Sequence, residues 1–176
     1  MSFGRMGLVC AFVATSVAAG GIAFAQKSPS DPQIAHIAVT AGEIDVKAAQ
    51  MALKNSKNKD VRDFAAAMVR DHKKVNEQAA VLMRELRAQP EDNATSKTLV
   101  AQAKQDREQI RALKGADFDR AYIEHEVAYH KAINSQLADT LIPAARAPQL
   151  KAFLEQGLGL FQAHQQHAEE VAAKLP

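Results

Sequence analysis

Apolar residues recur every three or four positions along five stretches of the chain, which places them on one face of an α-helix. The second stretch shows this spacing best, and its stripe consists of Val61, Phe64, Ala65, Met68, Val75, Ala79, Leu82 and Leu86. The composition agrees, because the chain has no Trp and only 5% aromatic residues, so its β-propensity is low. The pattern therefore predicts an all-α protein.

Turn residues mark the ends of the five predicted helices. Asp31 is the expected N-cap of the first helix, with Pro32 at a position where its missing N–H costs nothing. Pro90, Gly115 and the prolines at 143 and 148 punctuate the later connections. The predicted helices span residues 31–53, 58–87, 94–113, 117–139 and 148–174.

The third predicted helix is shorter than the others and lies between the second and third long helices. This spacing indicates a long crossover connection with a short extra helix inside it. A four-helix bundle with one long crossover has the ferritin-like topology, and a simple up-down five-helix bundle is the alternative.

The N-terminal segment has the features of a secretory signal. Arg5 precedes an apolar run over residues 8–19, and Ala23-Phe24-Ala25 matches the small-x-small cleavage pattern. We expect residues 1–25 to be a cleaved signal peptide, 26–30 a flexible N-terminus and 31–176 one domain in the periplasm or outside the cell. An uncleaved membrane anchor is the alternative for the signal. The mature chain would have no transmembrane span and no thiol, since Cys10 is the single cysteine.

Charge and motifs argue against several classes of function. The formal net charge is +2, and the basic residues are spread along the predicted helices, so we expect no nucleic-acid partner. We find no Ser-His-Asp arrangement, phosphate-binding glycine loop or catalytic cysteine, so an enzyme is the least supported class. A homo-oligomer and an unidentified protein partner both stay open.

Ionisable residues interrupt the apolar stripes of the long helices. His72 and His164 lie at stripe centres on the second and last helices, where apolar residues are expected. Glu126 lies within the stripe of the fourth helix with His130 one turn later, and Asp45 lies at the edge of the first helix's stripe. A buried charge costs several kcal/mol unless it is paired or bound to a metal.

Two hypotheses explain these five residues. They could form one site for iron, zinc, copper or manganese, because neutral imidazole and carboxylate are the ligands that these metals take and bundle cores are where such sites are built. Alternatively they pair with each other inside a structural or interaction protein of the cell envelope. Outside this set, we expect Asp71 to be a surface acid or a partner of a site residue, and His36 to be exposed. We interpret His125 and His167 as flanking or surface residues, and Tyr122 and Tyr129 as core aromatics.

Four segments resemble a bacterial family of exported proteins of unknown function, whose members are often labelled predicted outer membrane proteins. They are AGEID at 41–45, FAAAMVRDH at 64–72, FDRAYIEHEVAYH at 118–130 and FQAHQQHA at 161–168. The resemblance implies a ferritin-like fold and motif positions at Asp45, Asp71, His72, His130 and His164. It implies no established activity. Val69 and Phe161 stand three residues before His72 and His164, so the Glu-x-x-His pairs of di-iron ferritins are missing. With a metal, we expect a role in metal handling or envelope stress.

Overall fold

The computed structural model describes residues 28–176, and the predicted signal peptide at 1–25 lies outside them. Within that range every regular element is helical, as the apolar pattern predicts. No helix in residues 28–176 combines the length and apolar character needed to cross a bilayer. The helices are α1 (Asp31–Asn55), α2 (Lys59–Glu85), α3 (Ala94–Ala112), α4 (Gly115–Gln136), the short α5 (Ile142–Ala144) and α6 (Pro148–Ala172), with a π-helical segment at Leu137–Leu141.

The N-cap of the first helix is Ser30 and not the predicted Asp31, which is the first residue of the helix itself. Ser30 Oγ accepts a hydrogen bond from the Gln33 N–H, and the Gln33 side chain accepts one from the Ser30 N–H, which forms a capping box. The carboxylate of Asp31 instead accepts hydrogen bonds from the N–H groups of Arg146 and Ala147, both at 2.8 Å. Asp31 thus satisfies donors at the start of α6, 115 residues further along the chain.

Four long helices form the bundle, and α3 lies outside it. α1 packs against α2 and α4, and α6 packs against the same two helices, so α1 and α6 are diagonal neighbours. The crossover from α2 to α4 contains α3, which packs against α1 and α4. The prediction of a helical bundle with an extra helix in the long crossover is confirmed, and its ferritin-like assignment stays a prediction.

The fourth predicted helix does not run unbroken to residue 139. α4 ends at Gln136 and continues as the π-helical segment, in which the Ile142 N–H donates to the Leu137 carbonyl. Pro143 follows directly and has no N–H with which to continue an α-helical ladder. The start of α4 also differs from the prediction, because Gly115, with φ of +57°, begins the helix two residues before Asp117.

A polar layer divides the interior of the bundle into two apolar clusters. One cluster contains Phe64, Met68, Phe118 and Tyr122, and the other contains Ile34, Ile133, Leu154 and Phe161. Asp45, His72, Glu126, His130 and His164 lie between them, since on α1, α4 and α6 the chain passes from one cluster through the polar residue to the other. The apolar stripes thus bring the interrupting residues of four helices to one level.

Candidate metal centre

The four bundle helices each contribute to the polar layer, and all five predicted site residues lie in it. α1 supplies Asp45, α2 supplies His72, α4 supplies Glu126 and His130, and α6 supplies His164. Their exposed fractions are 1%, 2%, 0%, 1% and 5% respectively. The structure therefore brings together every residue that the stripe analysis selected.

Asp45 lies at the centre of this layer. Its Oδ2 is 3.3 Å from Nε2 of His72 and 3.3 Å from Nε2 of His130. The ring centroids of His72 and His164 are 5.2 Å apart, and those of His130 and His164 are 5.5 Å apart. One nitrogen from each of the three imidazoles lies within 4.8 Å of the others, which is close enough for one ion to contact all three.

Glu126 extends the same group along α4. One oxygen each of Asp45 and Glu126 and one nitrogen of His130 lie within 4.8 Å of one another. Glu126 Oε2 is 3.6 Å from Nδ1 of His130. His130 and Asp45 thus belong to both the three-imidazole group and the carboxylate group, and the two form one continuous polar cluster.

Hydrogen bonds to the backbone and to Asp71 determine which ring nitrogens face the centre as acceptors. His130 Nδ1 lies 3.0 Å from the Glu126 carbonyl oxygen and donates to it, so Nε2 carries the lone pair that faces Asp45. His164 Nε2 donates to Asp71 Oδ2 at 3.2 Å, which leaves the lone pair on Nδ1. Two acceptors, His130 Nε2 and Asp45 Oδ2, therefore face each other, and such a contact is stable only with a proton or a cation between them.

Most polar atoms of the layer are buried without any hydrogen-bond partner. They are both oxygens of Asp45 and of Glu126, both nitrogens of His72, His130 Nε2 and His164 Nδ1. Buried polar atoms are normally paired, because each unpaired one costs on the order of 1–3 kcal/mol. Imidazole nitrogens and carboxylate oxygens are the ligands that a transition metal takes, so these residues fit a metal ion.

Burial sets the protonation of the cluster. It lowers the pKa of His72 to about 2 and that of His130 to about 4, so both rings are neutral at pH 7. It raises the pKa of Asp45 to about 8, and burial together with the Asp45 charge also raises the pKa of Glu126. Without a cation the cluster therefore holds protons on its carboxyl groups, and a bound divalent ion would release them.

Neighbouring side chains hold two of the imidazoles in place. The Phe161 ring stacks on His72 with centroids 4.8 Å apart and planes at 19°. Asp71, which receives the His164 hydrogen bond, is itself held by Arg70 through contacts of 2.8 and 3.0 Å. The structure thus makes Asp71 a hydrogen-bond partner of His164, which is one of the two roles expected for it. Such partners orient a ligating imidazole and raise its basicity.

The other histidines lie outside the cluster, whereas the buried Tyr122 hydroxyl lies beside it, where burial and the charges of Glu126 and Asp45 raise the pKa of Tyr122. His167 packs edge-on against Phe64 at 5.2 Å, and His125 stacks on Tyr129 at 5.8 Å. Tyr129 is tied to α1, since its hydroxyl donates to the Ala41 carbonyl at 2.8 Å. The prediction that His36 is exposed is wrong, because the outer face of α1 next to α3 is covered and His36 is half-buried there.

Sequence reasoning missed Asn76, which lies one turn after His72 on α2. Its Oδ1 is buried without a partner, and it lies 2.4 Å from the point where a Cβ on Gly42 would stand. Gly42 thus allows α1 and α2 to approach closely beside the polar layer. The i+4 spacing from His72 is the sequence feature that could have identified Asn76.

The family model of a domain of unknown function, DUF4142, matches residues 17–171. The chain belongs to this family. The DUF4142 match includes all four bundle helices and all five residues of the polar layer. No curated protein matches the chain. No solved structure matches it either.

Proposed function

We propose that this protein is an exported helical bundle that binds a transition metal ion in its polar layer and serves metal handling or stress tolerance in the cell envelope. One observation supports this above all. Four helices direct five ionisable side chains into one interior volume, and most of their nitrogen and oxygen atoms have no hydrogen-bond partner there. A cation is the partner that such a set of donors lacks.

The nearest donor set consists of His72 Nε2, His130 Nε2 and Asp45 Oδ2, which are joined by the two 3.3 Å contacts. His164 Nδ1 and the Glu126 carboxylate lie next to this set and are also unpartnered. Imidazole and carboxylate together suit iron, zinc, copper or manganese, and harder ions such as magnesium prefer oxygen ligands alone.

The site suits an ion that stays bound better than it suits catalytic turnover of a substrate. The five side chains are at most 5% exposed, so a substrate has little access to an ion bound among them. The predicted secretory signal and the cysteine-free mature chain fit a compartment where thiol ligands are oxidised. We therefore propose binding and handling of a metal and no catalytic reaction.

Metal content and metal titration test this proposal. The full chain is expressed with its own leader and without a His-tag, stripped with chelator, and titrated with Zn²⁺, Mn²⁺, Cu²⁺ and anaerobic Fe²⁺ by calorimetry and thermal melting. We expect about one equivalent of at least one metal to bind and to raise Tm, since a ligand that binds only the folded state stabilises it.

A matched pair of variants on α6 locates the site. His164→Gln removes a proposed ligand, and His167→Gln removes a histidine three residues away that packs on Phe64. We expect the affinity to fall at least about tenfold in His164→Gln and to stay unchanged in His167→Gln. If no metal binds in stoichiometric amount and melting does not change, the proposal is wrong.

A second candidate function is a structural or interaction protein of the envelope that binds no metal. The contacts of Asp45 with His72 and His130, and the 3.2 Å hydrogen bond between His164 and Asp71, favour it, because acids and imidazoles then satisfy each other. In that case the polar layer would specify how the helices align, and metal titration would give no signal.

A further inference from the structure

A groove of about 390 Å³ runs between the second halves of α1 and α3. The two helices are parallel, because their starts are joined by the hydrogen bond from Glu91 N–H to the Pro32 carbonyl and their later turns line the groove together. This groove lies on the outer face of α1 and is separate from the polar layer.

Positive charge accumulates along this groove. Lys47 and Lys54 line it from α1, and Lys104, Arg107 and Arg111 line it from α3. On each helix the outer two cations are seven residues apart, which is two turns, so they share one face. The basic residues are spread along the helices, but packing α3 parallel to α1 brings two rows of them together here.

The groove carries few negative charges to balance these cations. Glu108 is its one acidic residue, which gives the groove a formal charge of +4 against +2 for the whole chain. Lys47 has a carboxylate neighbour in Glu43, at 4.0 Å. Among residues 28–176, no carboxylate lies within ion-pairing distance of the other four cations.

Arg107 gives the groove a specific feature beyond its charge. Its Nη1 atom is buried and has no hydrogen-bond partner. The guanidinium lies near His125 and Tyr129 of α4, where its charge adds to the burial that lowers the pKa of His125 and partly offsets the burial that raises the pKa of Tyr129. An unpartnered guanidinium nitrogen is rare in a folded protein, and its usual partner is a carboxylate or phosphate oxygen.

We propose that this groove binds a phosphate group, either of a small soluble phosphate or of an anionic lipid headgroup. A guanidinium flanked by lysines is the side-chain combination that recognises phosphate oxygens, with Arg as the directional donor and Lys as mobile point charges. The volume of about 390 Å³ admits a small phosphate compound or a headgroup. This inference does not depend on the metal site.

Direct binding measurements with two probes test the inference on metal-free protein. Calorimetry with inorganic pyrophosphate at low ionic strength measures the soluble anion. Co-sedimentation with phosphatidylglycerol vesicles, compared with phosphatidylcholine vesicles, measures the headgroup. We expect at least one of the two anionic probes to bind, and the binding to weaken as salt is added.

Charge-matched double variants separate the groove from general surface charge. Lys104→Gln/Arg111→Gln removes two exposed groove cations, and Lys73→Gln/Lys74→Gln removes two exposed cations of α2. We expect the groove variant to lose at least tenfold in affinity and the α2 variant to bind like the parent. Arg107→Gln removes the half-buried guanidinium whose Nη1 is unpartnered and should also weaken binding, with circular dichroism to check its helicity.

Two results would overturn the inference. One is that neither pyrophosphate nor phosphatidylglycerol binds the parent protein. The other is that the groove variant and the α2 variant weaken binding equally, because the effect would then be one of net charge alone. Binding of pyrophosphate but not of vesicles would identify a soluble phosphate as the ligand, and the reverse would identify a headgroup.

Discussion

At the scale of single residues, the contacts of Asp45 determine what the polar layer can hold. Its Oδ2 faces Nε2 of His72 and of His130 at the same distance of 3.3 Å, and none of the three atoms has a hydrogen-bond partner. A proton or a metal ion between them would be shared by all three groups. If the proposed function needs a cation in this layer, the metal-free protein is less stable, because these polar atoms are then buried without partners.

The substitution His72→Leu tests this cost. In metal-free protein we expect stability within about 1 kcal/mol of the parent or above it, because a buried polar group with unpartnered nitrogens is replaced by an apolar one of similar size. Met68→Ala, one turn earlier on α2 and fully buried, is the control and should lose about 2–5 kcal/mol. Urea unfolding measures both.

A loss in His72→Leu as large as that in Met68→Ala would contradict the expectation, and it would favour the alternative in which His72 pairs with Asp45. Metal binding by the same variant adds a second readout. Under the proposed function the variant keeps its fold and loses metal affinity, a combination that a purely structural histidine does not produce.

The residues of the site could be selected from sequence because each of them breaks an apolar stripe. His72 and His164 stand where aliphatic side chains are expected, and Glu126 lies inside the stripe of its helix. The central position of Asp45 could not be predicted, because it depends on how α1 is rotated against α2 and α4. His36 is half-buried because of where α3 packs, and the helical periodicity of the sequence gives no information about that packing.

At the scale of helices, a glycine allows close packing on α1 but has no such role on α6. Gly42 lies against Asn76 of α2, whereas a Cβ on Gly159 of α6 would meet nothing within 4 Å. Both lie in helix interiors, where Ala is favoured over Gly by about 1 kcal/mol. Only the close approach of α1 and α2 distinguishes the two positions.

Gly159→Ala should therefore stabilise the protein by about 0.5–1 kcal/mol, as it gains helix propensity without a clash. Gly42→Ala should be neutral or destabilising, because its Cβ would stand 2.4 Å from Asn76 Oδ1 and force that side chain to move. Thermal or urea unfolding of the two variants measures the difference. Equal stabilisation by both would show that α1 and α2 are further apart than described.

Helix boundaries show where sequence reasoning succeeds and where it fails. Proline and glycine located the connections to within a few residues, since their backbone restrictions are local. The N-cap is Ser30 and not the predicted Asp31, because the Asp31 side chain accepts hydrogen bonds from the distant N–H groups of Arg146 and Ala147. The π-helical segment at Leu137–Leu141 was not predicted, because its side-chain spacing continues that of α4.

At the scale of the whole molecule, two apolar clusters hold a proton-binding layer between them. Folding therefore changes how many protons the chain binds. The buried carboxyl groups bind protons more strongly than in the unfolded chain, and the buried imidazoles bind them more weakly. The apolar stripes predicted that ionisable residues interrupt the core faces of the helices, but not that the core divides into two clusters. The cationic groove could not be predicted, because it exists only once the crossover helix α3 packs parallel to α1.

Stability of the metal-free protein should fall as pH rises from about 6.5 to 8. Asp45, with its pKa raised from 3.8 to about 8, keeps in the folded state a proton that the unfolded chain has lost, and Glu126 acts in the same direction. Each such group contributes a slope of about 1.4 kcal/mol per pH unit. Asp45→Asn should reduce this alkaline loss, and a bound metal should abolish it.

Stability should also fall as pH decreases below about 4. His72, with its pKa lowered from 6.5 to about 2, stays neutral in the folded state at this pH while the unfolded imidazole binds a proton. His130, with its pKa lowered to about 4, adds the same effect only above about pH 4. Between about pH 4 and 6.5 the effects of the imidazoles and of the carboxyl groups on stability oppose each other, so the maximum of stability should lie in that range. Urea unfolding from pH 3 to 8.5 measures the profile, and a rise in stability from pH 6.5 to 8 would contradict it.

The closure of the polar layer on every side has a kinetic consequence. Side chains with exposed fractions of 5% or less can exchange a bound ion with solvent only when neighbouring helices separate. The residence time of a bound ion would then be governed by the opening rate of the bundle, and a chelator in solution would remove the ion no faster than that rate. Under the proposed function, such a site would release its ion slowly even where its affinity is moderate.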